Sequence, residues 1–311
     1  MTRPRRFIAC STFFLCVFWC APSIQAEQTP GLTGGEVLRL KYLEIKPKLE
    51  RNEFGVPLYC ESIEGEDFLR GDLYGIIEHP FAVVEGVLLG PRNWCDIASL
   101  HFNIKGCTCR NSVNGAVLTL YTGRKFYQPL EDTFKLNYEY QSLAHQSEYL
   151  LVFLKADEGP LNTKDYLIEL EAVPLEGVKT LIHFTYAYTY GALASMAMKA
   201  YFRTLARGKV GFSVIHVDGE GKAVYVGGTR GAIERNAVRY YLALQAYMDT
   251  IKFPEGVRLQ RRLSQWYDLT DRYRRQLFEM PKEEYLKNKK KEHESLLLLQ
   301  GEENQEDHDQ Q

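Results

Sequence analysis

Between residues 101 and 190 apolar side chains recur at every second position in six successive runs, with turn signals between them. The runs cover 101–110, 116–122, 134–144, 149–156, 164–173 and 178–190. A period of two places neighbouring side chains on opposite faces of a strand. In the last run Ile182, Phe184, Tyr186, Tyr188 and Tyr190 share one side, and His183, Thr185, Ala187 and Thr189 the other. In the run before it, Tyr166, Ile168 and Leu170 oppose Glu169 and Glu171. In the third, Leu136, Tyr138 and Tyr140 oppose Asn137 and Glu139. The pattern predicts a sheet with one aromatic, aliphatic face and one half-solvated face. Asn114-Gly115, Glu158-Gly159-Pro160 and Glu176-Gly177 are short turn sequences, which makes the sheet an antiparallel meander.

The flanking segments carry their own signals. Residues 58–63 and 68–78 read as two strands joined by Gly65-Glu66-Asp67. His79-Pro80 breaks the second, and an apolar helix follows over 81–89. Pro91 opens another helix with Trp94, Ile97 and Leu100 on one side. Proline suits a first helical turn because its missing N–H has no partner there anyway. Residues 35–49 predict a helix broken at Pro47. After the sixth run come a small-residue helix (191–205) and a hairpin of 210–217 with 222–227. A long amphipathic helix over 232–251 then has Val238, Tyr241, Leu242, Gln245 and Met248 on its inner face. Residues 255–300 predict two helical segments divided at Pro281, with Arg261, Arg262, Arg272, Arg274, Arg275 and a lysine run at 287–291 set among Leu, Tyr and Trp266. Such a basic amphipathic stretch either faces solvent on a helix docked to its own domain or contacts a membrane surface or another protein. Residues 301–311 hold five acidic and no basic side chains and are expected to be disordered.

The first 26 residues have the layout of a secretory signal peptide. Arg3, Arg5 and Arg6 precede an apolar stretch over 7–20, and Ile24-Gln25-Ala26 supplies a cleavage site before Glu27. The expected compartment is therefore periplasmic or extracellular. Removal of that segment leaves about 285 residues, with 35 basic against 40 acidic side chains. The resulting negative balance, with no basic patch interleaved with aromatics, argues against nucleic acid. Four cysteines remain, Cys60, Cys95, Cys107 and Cys109, and an oxidising compartment favours disulfides. Three pairings are formally possible. The helix end at Cys95 lies near the strand carrying Cys107, which favours that pair and leaves Cys60 with Cys109. Zinc-ligand spacing is missing, and no metal or other cofactor is expected.

Catalytic fingerprints are equally scarce: the seven His form no HxxxH or HExxH pair, and there is no GxSxG, P-loop or dinucleotide motif. The densest polar cluster runs from Thr229 to Asn236 and on to Arg239 and Tyr240. Arg235 and Arg239 are helical neighbours able to hold a carboxylate or phosphate, unless Glu234 and the sheet rim satisfy them.

The stretch Gly75-Ile76-Ile77-Glu78-His79-Pro80-Phe81 through Pro91-Arg92-Asn93-Trp94 is similar to the START-like (SRPBCC, helix-grip) superfamily, in an exported, bacterial-type form. Residues 152–156 before Lys164-Asp165-Tyr166 resemble its paired central strands. The likeness implies an α+β fold in which a curved antiparallel sheet wraps a long C-terminal helix around a lipid-sized cavity. It divides the chain into a signal peptide (1–26), an N-terminal helical segment (27–54), a START-like domain (55–251), a helical extension (252–300) and an acidic tail (301–311). The expected function is non-enzymatic binding or transfer of a hydrophobic or amphipathic small molecule such as a lipid. Tyr138, Tyr140, Tyr166, Phe184, Tyr186 and Tyr188 would line its site, with Arg235 and Arg239 at its polar end. The alternatives are a cyclase-type enzyme of the same fold and an envelope interaction protein with a filled core. No family catalytic residue has a counterpart here.

Overall fold

The computed structural model describes residues 32–309 apart from positions 53, 114, 147 and 205; side chains at 144–146, 193, 203 and 301–309 are not described. The expected signal peptide and Asn114 lie outside the described residues. In chain order the elements are α1 (Gly34–Glu50), β1 (Leu58–Glu64), β2 (Phe68–Ile77), α2 (Phe81–Leu88), α3 (Pro91–Ala98), β3 (Ile104–Ser112), β4 (Gly115–Thr122), β5 (Phe134–Gln146), β6 (Tyr149–Glu158), β7 (Thr163–Leu175) and β8 (Lys179–Tyr190). They continue as α4 (Ala192–Arg203), β9 (Val214–Val217), β10 (Ala223–Tyr225), α5 (Gly228–Thr250), α6 (Glu255–Asp271), α7 (Arg274–Leu277) and α8 (Lys282–Asp309).

Eight strands form one antiparallel sheet in the order β1-β2-β8-β7-β6-β5-β4-β3, and β9 pairs with β10 as a separate hairpin. The six alternating runs thus become β3 to β8, and β2 closes against β8 rather than β3. Helix α5 lies on the aromatic face, with its Tyr240 ring 6.0 Å from Phe184 and 5.9 Å from Tyr186. This is the helix-grip arrangement. Two glycines of β2 permit it. Gly71 faces Ile233, where an added methyl would sit 3.3 Å from the side chain; at Gly75 a methyl would overlap the Tyr241 ring. The Tyr241 hydroxyl donates to the Ile76 carbonyl at 3.2 Å, fastening helix to strand.

The opposite face is partly covered by α1, whose Leu38, Ile45 and Leu49 pack on Tyr74, Val173 and Leu181. A capping box at Thr33 and Glu36 starts the helix. Pro47 does not break it, contrary to expectation. It sits in the last turns, where Ile45 and Leu49 are held in the core and the Arg51 N–H still reaches the Pro47 carbonyl. The hydrogen bond lost to the ring therefore costs less than this packing returns.

Cys95 on α3 and Cys107 on β3 form a disulfide with Cα atoms 5.1 Å apart. The second pairing is overturned: Cys60 and Cys109 are free. They lie on β1 and β3, the two outer strands of the eight-stranded sheet, so the register keeps them apart.

Helices α6 to α8 dock on the domain through buried Leu263, Trp266, Tyr267, Leu277 and Tyr285. The Tyr285 hydroxyl donates to the Leu100 carbonyl at 2.9 Å. Lys289 Nζ donates to the carbonyls of His101 and Ile104 at 2.7 and 2.6 Å. Glu292 pairs with Lys105 at 2.8 Å and with Lys289 at 2.9 Å, all three side chains being buried. The amphipathic stretch thus spends its apolar face on its own domain. Helix α8 continues to Asp309, so its backbone is helical where a disordered acidic tail is expected from 301. Glu and Gln are good helix formers and extend a helix already nucleated upstream.

Two stability tests follow from these contacts. Gly75→Ala should cost about 1–3 kcal/mol in urea unfolding because Tyr241 must move. Gly86→Ala on α2, where a methyl meets open space, should be neutral or stabilising. Equal effects at the two positions would refute the close crossing. Glu292→Gln should cost about 3–5 kcal/mol, since two buried lysines then lose their counter-charge.

Candidate functional site

Beneath α5 the concave face divides into two parts. The lower part is packed solid: Trp94, Leu118, Leu154, Ile182, Phe184 and Leu244 are among the residues around a residual cavity of about 20 Å³. That is room for about one water molecule and not for a lipid tail. The upper part is a tyrosine cluster. Tyr166 is 6.4 Å from Tyr138, 6.5 Å from Tyr186 and 5.2 Å from Tyr188, ring centre to ring centre. Tyr240, from α5, completes it against Tyr186.

The hydroxyls of this cluster are unevenly satisfied. Tyr166 shares a 2.7 Å hydrogen bond with Thr163 Oγ1, and the Tyr188 hydroxyl points at Met198 Sδ at 3.8 Å. Among the described residues none hydrogen-bonds the hydroxyls of Tyr138, Tyr186 or Tyr240. Burial pushes the pKa of Tyr138 and Tyr186 well up and raises that of Tyr240 also, so all three remain neutral phenols able to donate. Tyr186, Tyr188 and Tyr240 keep some accessible surface. His101 stacks on Tyr240 at 4.9 Å; burial first, then Arg239, Lys289 and Lys125, hold its pKa well below the usual histidine range.

Of the eight residues expected to meet a ligand, four gather here: Tyr138, Tyr166, Tyr186 and Tyr188. Phe184 belongs to the filled lower part. The Tyr140 hydroxyl donates to the Leu88 carbonyl at 2.9 Å, a carbonyl that Trp94 Nε1 also reaches at 2.8 Å. Arg235 and Arg239 flank α5 elsewhere. Arg239 Nη2 lies 2.6 Å from Glu279 and 3.2 Å from the Leu277 carbonyl, and Arg235 Nη1 donates to the Val210 carbonyl at 3.1 Å. Glu234 is not their partner. It accepts from Ser62 Oγ at 2.6 Å and from the Phe212 and Ser213 N–H groups at 2.7 and 2.9 Å, tying the β9 approach to α5.

Tyr240 is the member that sequence reasoning left out of the site, although its position one residue after Arg239 places it next to the arginine stripe. A second cluster was missed altogether, on the face turned away from α5. His183 Nε2 is 2.9 Å from Asp72 Oδ1, and Nδ1 is 2.7 Å from Glu171 Oε2. Thr185 donates to Asp72 at 2.7 Å, Arg70 pairs with it at 2.7 Å, and the Tyr149 hydroxyl donates to Glu171 at 2.6 Å. Tyr74 stacks flat on the imidazole at 4.2 Å. Burial by itself would lower the His183 pKa, but hydrogen bonds to the two carboxylates outweigh it and raise the value to about 9. The same bonds, with those from Arg70 and Thr185, hold Asp72 well below the usual carboxylate range against its own burial. Glu169, Glu171 and His183 each place a donor atom within 4.8 Å of the others, a spacing compatible with a metal ion. Both ring nitrogens of His183 are nevertheless taken by carboxylates, so the imidazolium fills the role a cation would have. Beside α1 on this face lies an open, charged groove of about 1020 Å³ bordered by Arg39, Lys46, Glu50, Glu148 and Lys179. It is broad and solvent-filled, unlike the enclosed apolar sites that hold small molecules.

No family model matches the sequence, and no curated protein matches it. Solved structures similar to this chain include a conserved protein from Geobacillus kaustophilus, 10% identical with a TM-score of 0.36 over 58% of this chain and 95% of that one. Human StAR-related lipid transfer protein 5 is 13% identical, with a TM-score of 0.31 over 54% and 89%. Truncated norcoclaurine synthase from Thalictrum flavum is 12% identical, with a TM-score of 0.32 over 48% and 88%. At these identities and scores the three are likenesses in shape only.

The His183 cluster has a definite pH signature. A histidine raised in the folded state contributes its full stabilisation below about pH 6.5 and loses it as the pH climbs through about 9. Wild-type protein should therefore lose on the order of 3 kcal/mol across that window from this group. His183→Gln should be less stable at pH 6 and show a flatter profile from pH 6.5 to 9. Parallel profiles for the two proteins in thermal unfolding would show that His183 is not charged in the fold.

Proposed function

We propose that this protein binds a compact amphipathic small molecule at the tyrosine end of the grip and does so as an exported, non-enzymatic binder. The observation that supports this reading is the set of three phenol hydroxyls, on Tyr138, Tyr186 and Tyr240, without a hydrogen-bonding partner among the described residues. None of the three is sealed from solvent, so water serves them in the free protein and a ligand acceptor can take its place. A molecule with two or three acceptors on an apolar or aromatic body satisfies the hydroxyls and stacks on the rings of Tyr166, Tyr186 and Tyr188. The 20 Å³ interior narrows the ligand class from a lipid tail to something that lies at the end of the grip, unless α5 lifts from the sheet. Export is supported by the Cys95–Cys107 bond, which belongs in an oxidising compartment. No described helix is long and apolar enough to cross a membrane.

A second reading is favoured by the same packed interior: a filled-core protein whose partner is another protein. Phenylalanine substitutions separate the two. Tyr186→Phe and Tyr240→Phe remove the hydroxyls and keep the rings. If the hydroxyls hold a ligand, native mass spectrometry of protein purified from its own source should show a bound small molecule, and retention should fall about tenfold in either variant. Stability without ligand should change by less than about 1 kcal/mol. Wild-type protein that carries no molecule, with both variants more stable than wild type, would leave the filled-core reading in its place.

A further inference from the structure

Three cations converge on a single carboxylate at the flank of α5, and a fourth, Arg235, lies beside them. Arg235 and Arg239 come from α5, Lys125 from the loop between β4 and β5, and Lys209 from the loop between α4 and β9. Glu279, between α7 and α8, is the shared counter-ion. Its Oε1 is 2.6 Å from Arg239 Nη2 and 2.7 Å from Lys125 Nζ, and its Oε2 is 3.4 Å from Lys209 Nζ. Arg235 has no carboxylate partner among the described residues, although only 3% of it is exposed. The Nε of Arg239 is buried with no hydrogen-bond acceptor. The Tyr201 hydroxyl stands 3.5 Å from Lys125 Nζ.

Charges this buried are rarely left unbalanced, because desolvation is repaid only by pairing. Burial first, and then the neighbouring Arg239 charge, hold the Arg235 pKa down to about 10; burial also lowers that of Lys125, with Glu279 opposing and Arg239 adding to the shift. Glu279, together with Glu234 acting on Arg235, set against four cations leaves a surplus of about two positive charges. The lysines are the accessible side of the cluster, with 29% and 28% of their side chains exposed. An anion can therefore approach them from solvent without the fold opening.

We propose that Lys125, Lys209, Arg235 and Arg239 form a binding site for a phosphate-type dianion, either free or as the monoester headgroup of a lipid. A tetrahedral dianion offers acceptors in several directions at once, which suits two ammonium groups and a guanidinium from separate elements better than a second carboxylate does. It would leave the cluster near neutrality with Glu279 still in place. The site is independent of the tyrosine end: it rests on the charge census around Glu279 and stands whether or not a molecule occupies the rings.

The test uses the whole folded protein. Inorganic phosphate is titrated calorimetrically at an ionic strength fixed with sodium chloride, with wild type, Lys125→Gln, Lys209→Gln and, as a control, Lys222→Gln on the exposed β9–β10 turn. Phosphate should bind wild type and the control alike, and the dissociation constant should rise about tenfold in each site variant. Glu279→Gln adds an opposite readout: loss of the competing carboxylate should tighten phosphate binding even as it lowers stability. Sedimentation with phosphatidylcholine vesicles, with and without phosphatidic acid, identifies the source. Binding to phosphatidic acid vesicles that is lost in Lys125→Gln supports a lipid headgroup; binding of free phosphate alone supports the soluble anion. No phosphate binding beyond the chloride control and no preference for phosphatidic acid would overturn the proposal. The cluster would then be a strap that fastens the α7–α8 connection to α5.

Discussion

The close crossing of α5 over β2 is the constraint on which the rest depends. Gly71 and Gly75 remove the side chains that would hold the helix off the strand, and Ile233 and Tyr241 settle into the space. Once seated, α5 is covered on most of its circumference: by the sheet, by α6 and α7, and by the segment leading into β9. That explains why Glu234, Arg235 and Arg239 are buried on a helix that reads as amphipathic. It also fixes which residues meet. Tyr240 is delivered to Tyr186, and the arginine stripe is delivered to Glu279.

Buried charge is the second theme, and it welds the C-terminal helices to the domain. Glu292 holds Lys105 and Lys289, Glu279 holds Arg239, and Arg262 reaches Asp96 at 2.9 Å while lying over the Tyr247 ring at 3.9 Å. Apart from Lys289–Glu292, which lie one turn apart on α8, each pair joins elements far apart in the chain. Arrangements of this kind add little net stability compared with apolar packing, but they penalise misplacement heavily because a displaced partner strands a buried charge. Residues 255–300 are consequently a part of the core wall and not a free amphipathic arm.

The two faces of the sheet divide the chemistry. Towards α5 the side chains are neutral and aromatic, and the donors are phenols. Away from it an imidazolium is clamped between Asp72 and Glu171 under a tyrosine ring. An apolar interior raises the cost of charge, so ionised groups collect on the face where α1 gives only partial cover.

Local pattern was enough to show a meander of strands, the composition of its two faces, the Pro-initiated helices at Phe81 and Pro91, the long helix before Phe253 and the Cys95–Cys107 pair. These depend on periodicity, on backbone restrictions at proline, and on short sequence separations. What tertiary structure decided was every contact between distant positions. Sequence could not say that β2 pairs with β8, which is what brings Asp72 to His183 and Thr185 across more than a hundred residues. Nor could it say that Cys60 and Cys109 end on opposite outer strands, that Glu234 serves the β9 approach while Glu279 serves the arginines, or that Leu and Phe side chains fill the grip to within about 20 Å³. The alternation of a strand states which way a side chain points; the volume left in front of it, and the charge it meets there, are set by the sum of all the elements that pack against it.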